Sequence, residues 1–427
     1  MRLFFVLRLP AVTDDAAIYE ALARNWSASH IYGLFLNGKL TPVDLRLPGY
    51  PAFLAAIAWL VRRGWRPVML AQIFIDLATC FLSAAIAVRL VPARGNFHDT
   101  RVAQRRVRLA AFCLAALCPF LANYSAAALA EVPATFFTAA SLLAFVIAMR
   151  QMEESPGGAS SASGAASGAA AWFAGGLAVG LGTLMRPETP LALISLGLVL
   201  AWRWRTPANW PRLARTCALA GIGFLLPLAP WAIRNAVTLH EFQLLAPRYA
   251  QLPGEYVPRG FYSWTATWLT RFRDVYSTIW NLEDKPLLIA DMPPSAFDSP
   301  EEHARVTALF QQYNGDCCDV TPAWDAQFAQ LARERTARHP LRTYFFVPFS
   351  RAFTLWFTPR VELLPFTGHL WPLRQRVQQD PWDFGVTVFL GACGFLYVGL
   401  ALAGFLRGIR IRAPSSAGNA SAAPSWG

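Results

Sequence analysis

Two adjacent carboxylates, Asp14 and Asp15, open a stretch spanning 14–51. It also carries Tyr19 and the corner Arg46-Leu47-Pro48-Gly49-Tyr50-Pro51. A carboxylate can take a proton from an attacking hydroxyl, and positioned general bases of this kind contribute about 10²–10⁴-fold to a rate. An arginine stays charged and offers a planar fork that grips a phosphate through two hydrogen bonds. The same residue types recur further along the chain. Glu131 heads the apolar run EVPATFFTAASLLAF, Arg186 and Glu188 occupy the turn Met185-Arg186-Pro187-Glu188, and Arg234 ends Pro230-Trp231-Ala232-Ile233-Arg234-Asn235.

Each of these residues also has a plain structural reading. Asp14 and Asp15 precede AAIYEALARNW, which reads as a helix, and acidic residues are common at helix starts. Glu131 suits a helix N-terminus at a membrane interface, although ionisable groups near membrane depth are functional candidates by default. Arg186 and Glu188 pair with each other across a tight turn in the simplest reading, and Arg46 and Arg234 snorkel to headgroups. No one of them is specific alone, so the elements that position them decide between the readings.

The composition is that of a polytopic membrane protein: 55% of the 427 residues are hydrophobic and 15% charged, against about 25% charged in soluble domains. A net charge of +12 would suit nucleic acid, but the arginines cluster in short segments between apolar runs, as the positive-inside rule describes. A nucleic-acid partner is therefore set aside. Most of the cysteines (Cys80, Cys113, Cys118, Cys217, Cys317, Cys318 and Cys393) sit in apolar runs as small hydrophobes. The adjacent pair Cys317-Cys318 has poor metal spacing, and there is no CxxC.

Residues 1–10 (MRLFFVLRLP) are too short to span and read as the tail of a first transmembrane helix whose beginning is missing. Residues 51–61 are also short and end at Arg62-Arg63. The first full span is 67–91, which rises about 37 Å. Further spans are expected at 107–124, 129–149, 171–185, 189–202, 213–232 and 383–406, about seven in all. A flexible low-complexity linker is expected at 155–171.

Parity follows from the arginines. Arg94, Arg101, Arg105, Arg106 and Arg108, then Arg203, Arg205, Arg212 and Arg215, then Arg407, Arg410 and Arg412 all fall on one side, the cytoplasm. The same count puts Asp14, Asp15, Glu131, Arg186, Glu188 and Arg234 on the opposite, external face. It also lays 51–61 along that surface as a juxtamembrane helix. The chain divides into a transmembrane module at 1–232 with external loop 11–66, an external region at 233–382, and a last span with cytoplasmic tail at 383–427.

The external region is expected to be mainly helical. Ser299-Pro300-Glu301-Glu302 is a serine cap with proline first and glutamate three residues on. Thr321-Pro322 opens a second helix that runs to about His339, with Phe328 and Leu331 on its inner face. Residues 247–260 read as an ordered loop, and the aromatic-rich 344–357 as an interfacial helix.

With Asp15 and Tyr19 four residues apart, the Arg46–Pro51 corner, NYSAAALAEVPATFF, LMRPE and PWAIRN, the chain resembles the GT-C superfamily of membrane glycosyltransferases. The nearer likeness is to protein O-mannosyltransferases and lipid A aminoarabinose transferases. It covers about residues 11–240, and the family's first membrane helix is all but absent.

The resemblance implies an all-α polytopic GT-C-like fold in a bacterial inner membrane, with its site on the periplasmic or external face. It implies hexosyl or pentosyl transfer, with inversion, from a polyprenyl-phosphate sugar donor to the hydroxyl of a glycan, lipid or protein acceptor. Asp15 is then the base, with Asp14 as neighbour and substitute. Arg46, Arg186 and Arg234, in that order, stabilise the departing phosphate, and Glu131 orients the acceptor or holds a divalent ion. Tyr19, Tyr50 and Glu188 complete the substrate site.

Two other classes remain. A polymerase or ligase using diphosphate-linked oligosaccharides would need a large external loop, and 233–382 is large enough. A transporter should show internal repeats and charges at mid-membrane depth, and neither is evident.

Overall fold

A computed structural model describes residues 1–61, 63–91, 97–154, 162–249, 251–316 and 318–412. Arg62, Arg94, the first part of the expected linker (155–161), Cys317 and the tail beyond Arg412 lie outside the described residues. The chain divides into two compact units, Met1–Glu255 and Tyr256–Gly427. The segment after Arg234 folds back on the first unit. There the Gln243 amide donates to Asp44 Oδ2 at 2.7 Å, and the Trp231 indole donates to the Leu245 carbonyl at 3.2 Å.

The first unit begins with α1 (Arg2–Arg8) and α2 (Asp14–Ser29). A short antiparallel hairpin follows, β1 (Gly33–Leu36) and β2 (Lys39–Pro42), with Leu36 opposite Lys39. Asn37 and Gly38, at φ +48° and +78°, make the tight connection, the pairing that two-residue hairpins favour. The hairpin was not expected from sequence, where 14–51 read as helix and corner.

Next come α3 (Gly49–Leu60), α4 (Trp65–Leu90), α5 (Phe97–Ala116), α6 (Pro119–Tyr124), α7 (Glu131–Glu154), α8 (Ala162–Met185), α9 (Leu191–Arg203) and α10 (Trp210–Thr238). In the bundle, α8 packs between α7 and α10, while α4 packs on α7 and α5. The α8–α10 approach is close: a Cβ on Gly176 would lie 2.0 Å from the Ala220 carbonyl oxygen. Small residues that let backbones approach drive helix association in membranes, where apolar side chains gain little over lipid.

Among the described residues, five helices are long and apolar enough to cross a membrane: Trp65–Leu90, Glu131–Met152, Ser167–Met185, Trp210–Thr238 and Pro381–Arg407. The chain is a mainly helical, multi-pass membrane protein. Two of the seven expected spans differ in form. The one at 107–124 is broken, because Pro119 disfavours helix at the residue before it and Cys118 is extended at φ −66°, ψ 114°. The one at 189–202 is the 13-residue α9, about 20 Å long and short of the ~30 Å hydrocarbon core. The linker expected at 155–171 is helical from Ala162 onward, as its alanine content favours.

The second unit holds α11 (Arg259–Ala266), α12 (Pro300–Gly315), α13 (Pro322–Arg338), α14 (Val347–Phe357), α15 (Leu373–Gln379) and α16 (Pro381–Arg412). Both expected caps form: Ser299 Oγ accepts from the Glu302 amide and Thr321 Oγ1 from the Trp324 amide. Phe328 and Leu331 are buried in an aromatic core with Phe261, Trp264 and Trp324. Arg335, fully buried, is held by Glu302 and Asp298. A buried guanidinium of this kind is tolerable only when paired.

Candidate functional site

The site forms where the beginnings of α2, α3, α4 and α7 meet the end of α8. Ala23, Tyr50, Leu54, Val68 and Ala130 make the small apolar core beneath it. Asp15 lies in the first turn of α2, after Thr13 at the cap position, and no side chain caps this helix. The carboxylate instead accepts from Arg46 Nη2 at 2.6 Å, with the two side chains 50% and 21% exposed. Asp15 is thus tied across 31 residues of sequence to the corner before α3. Asp14 is exposed and joins no such pair among the described residues.

Tyr19, one turn after Asp15, packs edge-on against Tyr50 at 5.0 Å. Burial pushes the Tyr19 phenol up to about 12. The charge of Arg46 opposes this, and those of Asp15 and Glu131 add to it. Tyr19 is therefore a neutral hydrogen-bonding group across the physiological range. Burial also raises Tyr50, whose hydroxyl donates to Gln72 Oε1 at 2.8 Å. Gln72 in turn donates to the Ala127 carbonyl at 2.7 Å. The Ala128 amide donates to the Ala11 carbonyl, tying the same loop to the approach to α2.

Also near Tyr19, Arg186 makes a short ion pair with Glu131 and bonds both oxygens of Glu188 at 3.3 Å. The expected Arg186–Glu188 turn pair forms, and Glu131 joins it from the start of α7. Burial opposes ionisation of Glu188, but the hydrogen bond and charge of Arg186 outweigh it and lower its pKa. The second Glu131 oxygen, Oε2, is buried without a hydrogen-bond partner among the described residues.

Arg234 does not join either group of pairs. Its Nη2 donates to the Tyr32 carbonyl at 2.6 Å, and its guanidinium lies over the Tyr32 and Trp231 rings at 5.5 and 5.1 Å. Tyr32, buried between Trp26 and Trp231, donates its hydroxyl to the Arg46 carbonyl at 2.9 Å. Arg234 therefore braces the backbone that carries Arg46, and the snorkelling reading gives way to a clamp.

Sequence reasoning passed over Gln72 and a second buried pair, Arg2 with Asp76. Arg2 also donates to the Ala116 carbonyl at 2.7 Å, which fastens α1 to α4 and to the end of α5. The available signal was a glutamine and an aspartate within the apolar run of α4, where polar groups are expensive.

Among the described residues no three His, Cys, Asp or Glu side chains group together, and the partner of Glu131 is a guanidinium. The arrangement can bind an anion on its arginines, present a carboxylate to a hydroxyl, and offer the neutral Tyr19 phenol beside both.

Fold and site together define a multi-pass membrane protein with a charge-paired polar site at one end of its bundle. No family model matches the chain, and no curated protein matches it. Among solved structures it is similar to ArnT from Cupriavidus metallidurans in the apo state, at 15% identity over 92% of this chain and 73% of that one, with a TM-score of 0.43.

Proposed function

We propose that the chain is a GT-C-type membrane glycosyltransferase that moves a sugar from a polyprenyl-phosphate donor to an acceptor hydroxyl at the external face of a bacterial inner membrane. The observation that carries this reading is the grouping near Tyr19 of two charge systems, Asp15–Arg46 and Glu131–Arg186–Glu188. A lipid-phosphate leaving group needs cations where its charge grows, and an attacking hydroxyl needs a carboxylate within reach. Both stand here within one cluster, with the motif residues quoted from the sequence at its centre.

In this reading the donor phosphate draws Arg46 away from Asp15 and frees the carboxylate. The acceptor oxygen then bonds to the anomeric carbon while its proton passes to Asp15. The bond from that carbon to the phosphate oxygen breaks, and polyprenyl phosphate leaves with the electron pair. The anomeric centre inverts. Tyr19, neutral, hydrogen-bonds the sugar, while Tyr50 is fully buried beneath it with its hydroxyl on Gln72.

The test is transfer of label from polyprenyl-phosphate sugars in membranes containing the full chain. Asp15→Asn should lower transfer by at least about 10²-fold, with expression and insertion unchanged. Full turnover by Asp15→Asn would remove the base assignment. Absence of transfer from a broad panel of monophosphate donors, with transfer from diphosphate-linked oligosaccharides, would replace this reaction with the polymerase or ligase class.

A further inference from the structure

At the far end of the bundle from this site, α4 and α5 line an open, groove-like cavity of about 510 Å³. Its walls are Phe81, Ala84, Ala85, Val88, Leu109 and Phe112, and its charged rim is Arg89, Arg105 and Arg108. The rings of Phe81 and Phe112 meet at 4.7 Å within the apolar part. Arg89 uses one donor on the Ala85 carbonyl of its own helix. Among the described residues, the exposed Arg105 and Arg108 have no hydrogen bond or ion pair, and they sit three residues apart on one face of α5.

We infer that this cavity is a binding site for an anionic phospholipid of the surrounding bilayer, with an acyl chain against the phenylalanine- and alanine-lined wall and the phosphate on Arg105 and Arg108. Three observations converge on that occupant. The cavity is amphipathic in the same sense as a phospholipid, apolar along its length and cationic at one rim. It lies between helices, one of which is a membrane span, and α4, with 26 residues, rises about 39 Å. Arg89, next to its last residue, therefore reaches headgroup depth when the apolar middle fills the hydrocarbon core. Finally, the cavity offers unpaired guanidiniums, and basic pockets between membrane helices suit anionic headgroups, each basic group adding attraction. A soluble anion would use the rim and leave the apolar wall idle. This site is independent of the proposed reaction.

The experiment is native mass spectrometry of the full chain in detergent, titrated with phosphatidylglycerol, with phosphatidylcholine, and with phosphatidylglycerol in the presence of inorganic phosphate. Phosphatidylglycerol should bind the wild-type chain about tenfold or more tightly than phosphatidylcholine, and inorganic phosphate should not displace it. Arg105→Gln/Arg108→Gln should weaken phosphatidylglycerol by about tenfold or more. Arg212→Gln/Arg215→Gln makes the same change at the same spacing on α10, outside the cavity, and should have no effect. Ala85→Phe fills the groove without changing charge and should also expel the lipid. Equal affinity for the two lipids would overturn the inference, as would displacement by phosphate alone, or an equal effect of the two arginine pairs. Retention of the lipid by Ala85→Phe would overturn it as well.

Discussion

Replacing Gly49 by alanine should disable the site without touching a charged group. Gly49 opens α3, three residues after Arg46 and one before Tyr50. A Cβ there would stand 2.5 Å from the Leu184 carbonyl oxygen, 2.7 Å from its carbon and 2.9 Å from the Met185 nitrogen. All three are backbone atoms at the end of α8, so no side chain can swing aside. Reaching an ordinary contact of 3.4 Å would push the start of α3 away by about 0.9 Å. Overpacking of this kind destabilises by about 1–3 kcal/mol. The same displacement separates Arg46 and Tyr50 from Arg186, and misplacement by about 1 Å lowers catalysis by roughly 10²-fold. Gly49→Ala should therefore lower the thermal midpoint in detergent, followed by size-exclusion chromatography after heating, and should lower sugar transfer by about 10²-fold. An unchanged midpoint together with transfer within about threefold of wild type would refute the close approach of α3 to α8 and the site built on it.

Three further outcomes follow from the ion pairs. Arg186→Gln should destabilise more than Glu131→Gln, because it strands a carboxylate whose Oε2 already lacks a partner, and the double variant should recover part of the loss. A thermal-stability cycle should give a coupling of about 0.5–3 kcal/mol, and strict additivity would count against the pair. Arg46→Gln should raise the KM for the donor more than it lowers kcat, read from initial rates at varied polyprenyl-phosphate sugar; an unchanged KM would remove Arg46 from the phosphate. In the second unit, burial opposes ionisation of Asp298, but the Arg342 hydrogen bond and the charges of Arg335, Arg342 and Arg338 hold its pKa below the usual value. A lowered folded-state value contributes stability above the unfolded pKa of about 3.9 that is lost as pH falls through the folded value. The thermal midpoint should accordingly drop below about pH 4, and Asp298→Asn should flatten that drop; an identical profile in the variant would exclude Asp298 as its source.

What could be read from the sequence depended on how local its cause was. The helices at Pro300–Gly315 and Pro322–Arg338 were legible because their caps lie within four residues of their starts, and both formed. The long apolar spans were legible from length alone. The hairpin at Gly33–Pro42 was not, since two four-residue strands give too few alternations to stand out, although Asn37-Gly38 carried the turn signal. The run from Ala162 looked like a linker because its residues are small, yet alanine favours helix and small residues permit the close α8–α10 contact. Among the site residues, the local Arg186–Glu188 pair was visible, but the long-range pairing was not. Arg46 meets Asp15 across 31 positions, Arg186 meets Glu131 across 55, and Arg234 meets the Tyr32 carbonyl across 202. No local pattern encodes such partners.

Those partners also sort the three arginines that the resemblance offers, in the order Arg46, Arg186 and Arg234, as phosphate ligands. A phosphate can recruit a guanidinium only by displacing what already holds it. Arg46 is held by one half-exposed carboxylate, and exposed pairs are worth about 0–1 kcal/mol, so an incoming lipid phosphate displaces it readily. Arg186 is shared between Glu131 and Glu188, so it can lean toward an anion while keeping one acid. Arg234 is bound to a carbonyl and stacked on two rings, and releasing it would loosen Tyr32 and with it the backbone of Arg46. Under the proposed reaction the roles therefore differ in kind: Arg46 exchanges Asp15 for phosphate and so couples donor binding to exposure of the base. Arg186 stays as a standing counter-charge, and Arg234 acts only through the geometry of the corner it braces.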